Sequence, residues 1–162
     1  MTDTQIAPQA VSNPDVAAGV AQFLTPIVQE LIALAVNGKQ AHWHVRGANF
    51  IGVHEFLDVV VEHAQDFSDL AAERVVALGL PIDGRLATVA EKTTGTTPTA
   101  GFKTSEKTIA EVIAQIDVTI AKVDEAISGL EQLDPSSQDI AIAIRQGLDK
   151  DRWFLFSHIA VS

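Results

Sequence analysis

The stretch from Gln40 to Arg74, QAHWHVRGANFIGVHEFLDVVVEHAQDFSDLAAER, decides the fold of this chain. Its apolar residues recur every three or four positions, a period that predicts an amphipathic helix from about Val53 to Leu78. Gly79 and Pro81 follow directly and end that helix. A helix with one apolar stripe has to bury that stripe against neighbouring elements, so the stretch predicts one member of a helical bundle.

Three further segments, on either side of this stretch, carry the same helical period. Asn13, followed by a proline, is a good N-cap for the first helix, and Pro26 should bend that helix or mark its true start. The third helix opens near Thr104, and Asp134, again followed by a proline, caps the fourth. The apolar stripes of these helices are Val20, Phe23, Leu24, Ile27, Leu31 and Leu34; Ile109, Val112, Ile113, Ile116, Ile120, Val123 and Ile127; and Ile140, Ile144, Leu148, Leu155 and Ile159.

Residues 79–103 form a long predicted connection, because they hold four of the ten glycines and a Thr/Gly/Pro cluster. Leu86, Val89 and Ala90 are spaced for one or two helical turns within it, so a short helix is expected there. Residues 1–13 are polar and lack a period, and they are expected to form a flexible tail. The sequence therefore predicts an all-α fold, in which residues 14–162 form a four-helix bundle with a short extra helix between helices two and three.

The composition excludes several classes of protein. The 162-residue chain has no cysteine, which excludes disulfides and thiolate chemistry. Its formal net charge is −10 and residues 1–38 contain neither Lys nor Arg, so we expect no DNA binding at physiological salt. The most apolar run, Ile27–Val36, is interrupted by Gln29 and Glu30 and is shorter than the roughly 20 residues of a membrane span. Without a signal sequence at its start, the chain is expected to be cytoplasmic, with no membrane partner.

The second helix also carries a row of side chains that can bind metals. His54 and Asp58 stand four positions apart, as do Asp69 and Glu73, and Glu62 lies between the two pairs. All five project within an arc of roughly 100° around the helix. Imidazole and carboxylate together suit iron, manganese or zinc, but an acidic row can also be the solvated face of a bundle helix. The spacing of His with Asp, and another histidine on the preceding helix, favour a metal site.

The length of this row limits the sites that it can form. His54 and Glu73 are nineteen positions apart, which is roughly 30 Å along a straight helix. One metal ion cannot reach both ends within one chain. Either there are two separate sites, or the two ends of the row meet across an antiparallel two-fold contact between two subunits. The spacing by itself leaves both possibilities open.

Three motifs resemble a known family: KQAHWHVRGANFIGVHEFLD at 39–58, DLAAER at 69–74 and LDKDRWF at 148–154. The chain resembles the Dps family, the DNA-binding proteins from starved cells, through all four helices in order. The resemblance implies a hollow dodecameric cage built from two-fold dimers, which oxidises ferrous iron, preferably with hydrogen peroxide, and stores the ferric product. It implies inter-subunit iron sites whose ligands are His42, His54 and Asp58 from one chain and Asp69 and Glu73 from its neighbour. Trp43 matches the family tryptophan beside that centre, which takes up stray oxidising equivalents.

Three acids, Glu131, Asp134 and Asp139, surround the start of the last helix. Acidic residues stabilise a helix N-terminus, so solvated helix capping is the simplest interpretation. The resemblance implies a second role for them, as the lining of a three-fold pore through which iron enters the cage. Both interpretations require these side chains to be exposed.

The remaining histidines have structural interpretations. His44 points about 200° round the helix from His42, which favours a structural hydrogen bond over a share in the same metal site. The other assignments are His63 at the surface, His158 in apolar packing, and Trp153 with Phe154 in the core or at an interface.

The residues also permit two functions other than iron storage. A metal held by His and carboxylates could activate water to hydrolyse amides or esters, but no separate nucleophile is identifiable in the sequence. A structural or DNA-protecting shell would leave the acidic row solvated, and the complete ligand set and acidic composition oppose it. The Glu-x-x-His motif of classical ferritin centres is absent. We therefore expect an inter-subunit ferroxidase and iron store.

Overall fold

Five helices and one short strand pair make up residues 13–159, the part of the chain that the computed structural model describes. The four long helices form the predicted bundle, and the short one lies in the long connection, as predicted. Of the predicted tail, residues 1–12 lie outside the described residues, and Asn13 caps the first helix. The elements are α1 Pro14–His44, β1 Val45–Arg46, α2 Phe50–Ala77, α3 Leu86–Lys92, β2 Lys103–Thr104, α4 Ser105–Leu130 and α5 Pro135–Ser157.

The first helix begins where its capping residue predicts. Asn13 Oδ1 accepts a hydrogen bond from the backbone N–H of Asp15 at 2.8 Å. The helix continues through Pro26, which is therefore not its start. The carbonyl that loses its partner there belongs to Gln22, an exposed residue, so water can bind it. By length and composition α1 could cross a membrane, but half of its most apolar window is buried inside the bundle, as in the core helix of a globular protein.

The core lies between the four long helices. α1 packs against α2 and α4, and α5 closes the bundle against α4 and α2. Two glycines permit close packing: a Cβ at Gly129 would lie 2.1 Å from the Phe23 ring, and one at Gly147 would lie 2.2 Å from the Phe67 ring. Each fully buried Leu or Ile stabilises the fold by about 1.5–3 kcal/mol. The largest of these side chains are Leu24, Ile27, Leu31, Leu34, Leu57, Ile109, Ile116, Leu130, Ile144, Leu148 and Leu155.

A short link between α1 and α2 sets the position of the predicted metal ligands. It turns the chain with positive φ angles at Gly47 (98°) and Asn49 (56°). Its strand β1 pairs in parallel with β2, and Ser105 Oγ donates to a carbonyl of the link at 2.5 Å. The strand pair was not predicted, because two residues are too short to show a strand period. α2 begins at Phe50, three residues before the predicted start. The prediction missed Phe50, Ile51 and Gly52 because they are exposed and therefore do not extend the apolar period of the helix.

Candidate metal centre

Two histidines at the junction of α1 and α2 hold each other in place. His42 lies in the last turn of α1, and His54 lies in the second turn of α2. His42 Nδ1 is 2.7 Å from the carbonyl oxygen of His54, and His54 Nδ1 is 2.9 Å from the carbonyl oxygen of His42. The two rings stack, with centroids 3.7 Å apart and an angle of 22° between their planes. We call this reciprocal pair of hydrogen bonds between His42 and His54 the histidine clasp.

The histidine clasp determines which ring nitrogen can bind a metal. A carbonyl oxygen can only accept a hydrogen bond, so Nδ1 of each ring carries a proton. In the neutral imidazole the lone pair then lies on Nε2. Backbone hydrogen bonds of this kind orient metal-ligating histidines and set their tautomer. Both rings therefore present an unprotonated Nε2 whenever they are neutral.

Asp58 lies one turn beyond His54 on α2, where Lys39 of α1 binds it. Lys39 Nζ is 2.5 Å from Asp58 Oδ1, and His42 Nδ1 is 3.3 Å from the same oxygen. The hydrogen bond from Lys39 is the main reason that the pKa of Asp58 lies below its usual value; slight burial opposes it, and the neighbouring histidines add to it. Asp58 is therefore ionised at neutral pH, and the Lys39 ammonium is the cation beside it.

Asp69 and Glu73 lie on the same helix but far from the histidine clasp. Both side chains are exposed. α2 is continuous from Phe50 to Ala77, so His54 and Glu73, at the two ends of the row, lie roughly 30 Å apart. Within residues 13–159, no three His, Asp or Glu side chains are arranged to hold a metal ion. One chain therefore offers two separated half-sets of ligands.

A groove runs along the exposed face of α1 and α2 beside the histidine clasp. Its volume is about 510 Å³, and Lys39 reaches from it to Asp58. Trp43 is 61% exposed and Val36 is 55% exposed, so large apolar side chains face solvent here. An exposed apolar patch is typical of a surface that another protein covers. The groove is lined by Ala35, Val36, Lys39, Gln40, Trp43, Val61 and Gln65.

Among the three acids at the turn between α4 and α5, Asp134 is not a solvated helix cap. Arg74 Nη2 donates to Asp134 Oδ2 at 2.7 Å, and Ser137 Oγ donates to the same oxygen at 2.5 Å. Burial alone would raise the pKa of Asp134, but these hydrogen bonds outweigh it and hold the pKa below its usual value. The expectation of solvated capping was wrong for Asp134, whose carboxylate ties α5 to the end of α2. Glu131 and Asp139 are exposed, as predicted.

Two other histidines make structural contacts. The Nδ1 of His44 hydrogen-bonds to the carbonyl of Gln40 at 2.9 Å, which confirms the predicted structural role. The ring of His158 packs beside Phe56, with centroids 6.3 Å apart, as predicted. Trp153 is 63% exposed, so it does not belong to the core, and its role at an interface stays a prediction.

His63 is more than a surface residue. Its Nδ1 lies 2.9 and 3.0 Å from the two carboxylate oxygens of Asp151 on α5, and Asp151 is 1% exposed. Burial raises the pKa of Asp151 above its usual value, although the hydrogen bond from His63 opposes that shift. The sequence did contain a signal for this pair. Asp151 lies three positions after Leu148 and four before Leu155, on the buried stripe of α5, where a carboxylate needs a partner.

Comparison with known proteins gives the family. The family model for the ferritin-like domain matches residues 21–161. The DNA protection during starvation protein of Mycolicibacterium smegmatis is 33% identical over 88% of this chain and 78% of its own length. That of Agrobacterium fabrum is 34% identical over 85% of each chain. The solved structure of Dps from Microbacterium arborescens in the high iron form is 55% identical and covers 94% of this chain and 99% of that chain, with a TM-score of 0.91. With this fold, these motifs and these relatives, the chain belongs to the ferritin-like proteins and, among them, to the Dps family.

Proposed function

We propose that this protein is an iron-storage mini-ferritin that oxidises ferrous iron at centres shared between two subunits. The division of the ligand set carries this proposal. His42, His54 and Asp58 meet at one end of α2, while Asp69 and Glu73 are exposed nearer its other end. An antiparallel two-fold contact between two α2 helices completes two centres at once. The exposed groove beside the histidine clasp is the surface for that contact, and such dimers build a dodecameric cage.

The ligand types suit iron oxidation. Nε2 of the two clasped histidines binds ferrous iron, while the hard carboxylate oxygens favour the ferric state. Two ferrous ions give one electron each to hydrogen peroxide. The O–O bond breaks and two hydroxide ions form, leaving two ferric ions that move into the cavity as mineral. Because both electrons are delivered at one centre, no hydroxyl radical is released.

Trp43 protects the centre when only one ferrous ion, and not two, reacts with a peroxide molecule. One ferrous ion alone reduces peroxide by one electron and leaves a hydroxyl radical. Trp43 follows His42 directly and is 61% exposed, and it is the one aromatic side chain among the residues that line the groove. Donation of an electron from the indole turns the radical into hydroxide and confines the damage to one side chain.

Exposed acids provide the route for iron. Asp139 and Glu131 are free to line a three-fold pore, whereas the charge of Asp134 is offset by Arg74 within the chain. Their carboxylates attract cations, in keeping with a net charge of −10 per subunit. The same charge repels DNA, and we expect none to bind. The relatives reported above lend no support to the hydrolase alternative.

A mixing experiment tests the shared centre directly. Asp58→Ala and Glu73→Ala are made in separate chains, and each protein alone should lose rapid peroxide-dependent oxidation of ferrous iron. In a mixed two-fold dimer, one centre carries both defects and the other carries neither. Random pairing makes half of the dimers mixed, so dissociation and reassembly of the two variants together should restore about a quarter of the wild-type centres.

The controls separate this model from its alternatives. Glu125→Ala removes an exposed carboxylate from α4 and should oxidise iron at the wild-type rate. Asp58→Ala reassembled without its complement should stay inactive. If the mixed protein recovers no activity although both variants assemble, the ligands do not come from two chains. If neither substitution slows oxidation, the acidic row is a solvated face and the proposed function is wrong.

A further inference from the structure

One buried carboxylate outside the metal centre has no cationic partner among residues 13–159. Glu30 of α1 is 4% exposed. Its Oε1 accepts hydrogen bonds from the backbone N–H of Thr94 at 2.8 Å and from Thr94 Oγ1 at 3.0 Å. Within residues 13–159, Glu30 forms no ion pair, and residues 1–12 and 160–162 contain no Lys, Arg or His. Buried carboxylates are ordinarily paired or bound to a cation, whereas the two donors that Thr94 supplies to Glu30 are neutral.

A small polar cavity adjoins this carboxylate. Its volume is about 40 Å³, enough for one ion or a few water molecules. It lies between α1, α4 and the connection that follows α3, and it is partly open to solvent, because Thr96 and Thr97 are exposed. Gly95 lines it closely, since a Cβ there would lie 3.6 Å from Glu30 Oε2 and 3.9 Å from Gln115 Cγ. The residues around the cavity are Glu30, Ala33, Asn37, Thr93, Gly95, Thr96, Thr97 and Gln115.

The lining supplies oxygen ligands only. Asn37 Nδ2 donates to Gln115 Oε1 at 3.0 Å, which fixes the orientation of the Asn37 amide and leaves its Oδ1 without a hydrogen bond in the described part of the chain. Glu30 Oε2 likewise accepts no hydrogen bond from residues 13–159. Threonine hydroxyls complete the wall. A carboxylate, an amide oxygen and hydroxyls without imidazole are the ligands of hard cations.

We propose that this cavity binds a hard cation that sheds its water readily, Ca²⁺ or Na⁺, through Glu30 and Asn37. Mg²⁺ keeps several waters and fits a cavity of this volume poorly. The ion balances the charge of Glu30 and fastens the connection at residues 93–97 to α1 and α4. This site is independent of the proposed iron chemistry, because Glu30 contacts none of His42, His54 and Asp58.

The test measures the apparent Tm of the full-length protein after treatment with a chelator, in choline chloride buffer. CaCl₂ or NaCl is then added at constant ionic strength, with MgCl₂ as a third arm. At an ion concentration of about a hundred times Kd, we expect the apparent Tm to rise by about 5–10 °C with Ca²⁺ or Na⁺ and less with Mg²⁺. The better of the two ions identifies the ligand.

Glu30→Gln is the decisive variant. Its amide oxygen can still accept both hydrogen bonds from Thr94, so the variant should fold and should oxidise iron at the wild-type rate, but its Tm should not respond to the ion. Glu125→Gln removes an exposed charge from α4 and should keep the full response. If Glu30→Gln keeps the response, or if no ion raises the wild-type Tm, the proposal is overturned and the cavity holds water. A peak of Sr²⁺ anomalous scattering in the cavity of wild-type crystals, absent in Glu30→Gln, would locate the site.

Discussion

Replacing Lys39 by Gln should strengthen metal binding at the proposed iron centre. The Lys39 ammonium lies 2.5 Å from Asp58 Oδ1, so a metal that binds through this oxygen has to displace the lysine. The two side chains are 38% and 47% exposed, so the ion pair is of the solvent-screened kind that stabilises a protein by about 0.2–1 kcal/mol. Since 1.4 kcal/mol corresponds to a tenfold change in affinity, the substitution should tighten binding by up to about fivefold. The pKa of Asp58 would rise towards its usual value, which still leaves it ionised at pH 7.

The assay is an anaerobic calorimetric titration with Fe²⁺, or with Co²⁺ as a redox-inert substitute, at pH 7 and fixed ionic strength. Lys107→Gln is the matched control, because Lys107 is exposed on α4 and the substitution changes the net charge equally. A similar gain in metal affinity in Lys107→Gln would mean that the effect comes from the net charge of the protein and not from the loss of the Lys39–Asp58 ion pair. Unchanged or weaker binding in Lys39→Gln, with Lys107→Gln as wild type, would refute the competition between lysine and metal. Lys39 would then support metal binding at the centre and would not compete with the metal for Asp58.

Three further outcomes are expected. His63→Ala leaves the buried Asp151 carboxylate without its partner, which should cost about 1–3 kcal/mol and lower the apparent Tm by several degrees at a fixed protein concentration; adding Asp151→Asn should recover most of that loss. Arg74→Gln should lower the apparent Tm at pH 7. The folded-state pKa of Asp134 lies below its unfolded value of about 3.8. The stability that Arg74 supplies is therefore present above pH 3.8 and is lost as the pH falls through the folded-state pKa. The difference in Tm between the wild type and Arg74→Gln should shrink in acid. The assembled protein should not retard plasmid DNA in a gel at physiological salt, and a retarded band would contradict the charge argument.

The long helices could be predicted because each keeps one apolar period over many turns. The observed helix bounds confirm the two starts at which a proline follows the capping residue, Asn13 and Asp134, and the opening at Thr104. The helix bounds were predicted wrongly where the apolar period gives no information. Exposed residues at the start of α2 belong to the helix without showing it, and Pro26 is accommodated because the carbonyl that it leaves unpaired is accessible to water.

The candidate site divides in the same way. The ligand row of α2 is a property of helical spacing, so the sequence is enough to place His54, Asp58, Asp69 and Glu73 on one side of a helix. The histidine clasp and the Lys39–Asp58 pair depend on how the link turns α1 back against α2, and no period encodes that turn. Side-chain pairs between different helices cannot be predicted from the sequence for the same reason. The exception is a pair in which a charged residue interrupts the buried apolar stripe of its helix.

The two half-sets differ in a way that bears on how the centre works. The imidazoles are held by backbone hydrogen bonds at a junction stabilised by the bundle core, so their geometry is fixed before any metal arrives. Asp69 and Glu73 are exposed and make no ion pair within residues 13–159, and on the proposed function a second chain sets their positions. A centre with one rigid half and one half supplied by assembly has no complete ligand set in an isolated subunit. In that proposal an isolated subunit keeps only the half-set of His42, His54 and Asp58, so the paired oxidation of two ferrous ions by one peroxide requires the dimer.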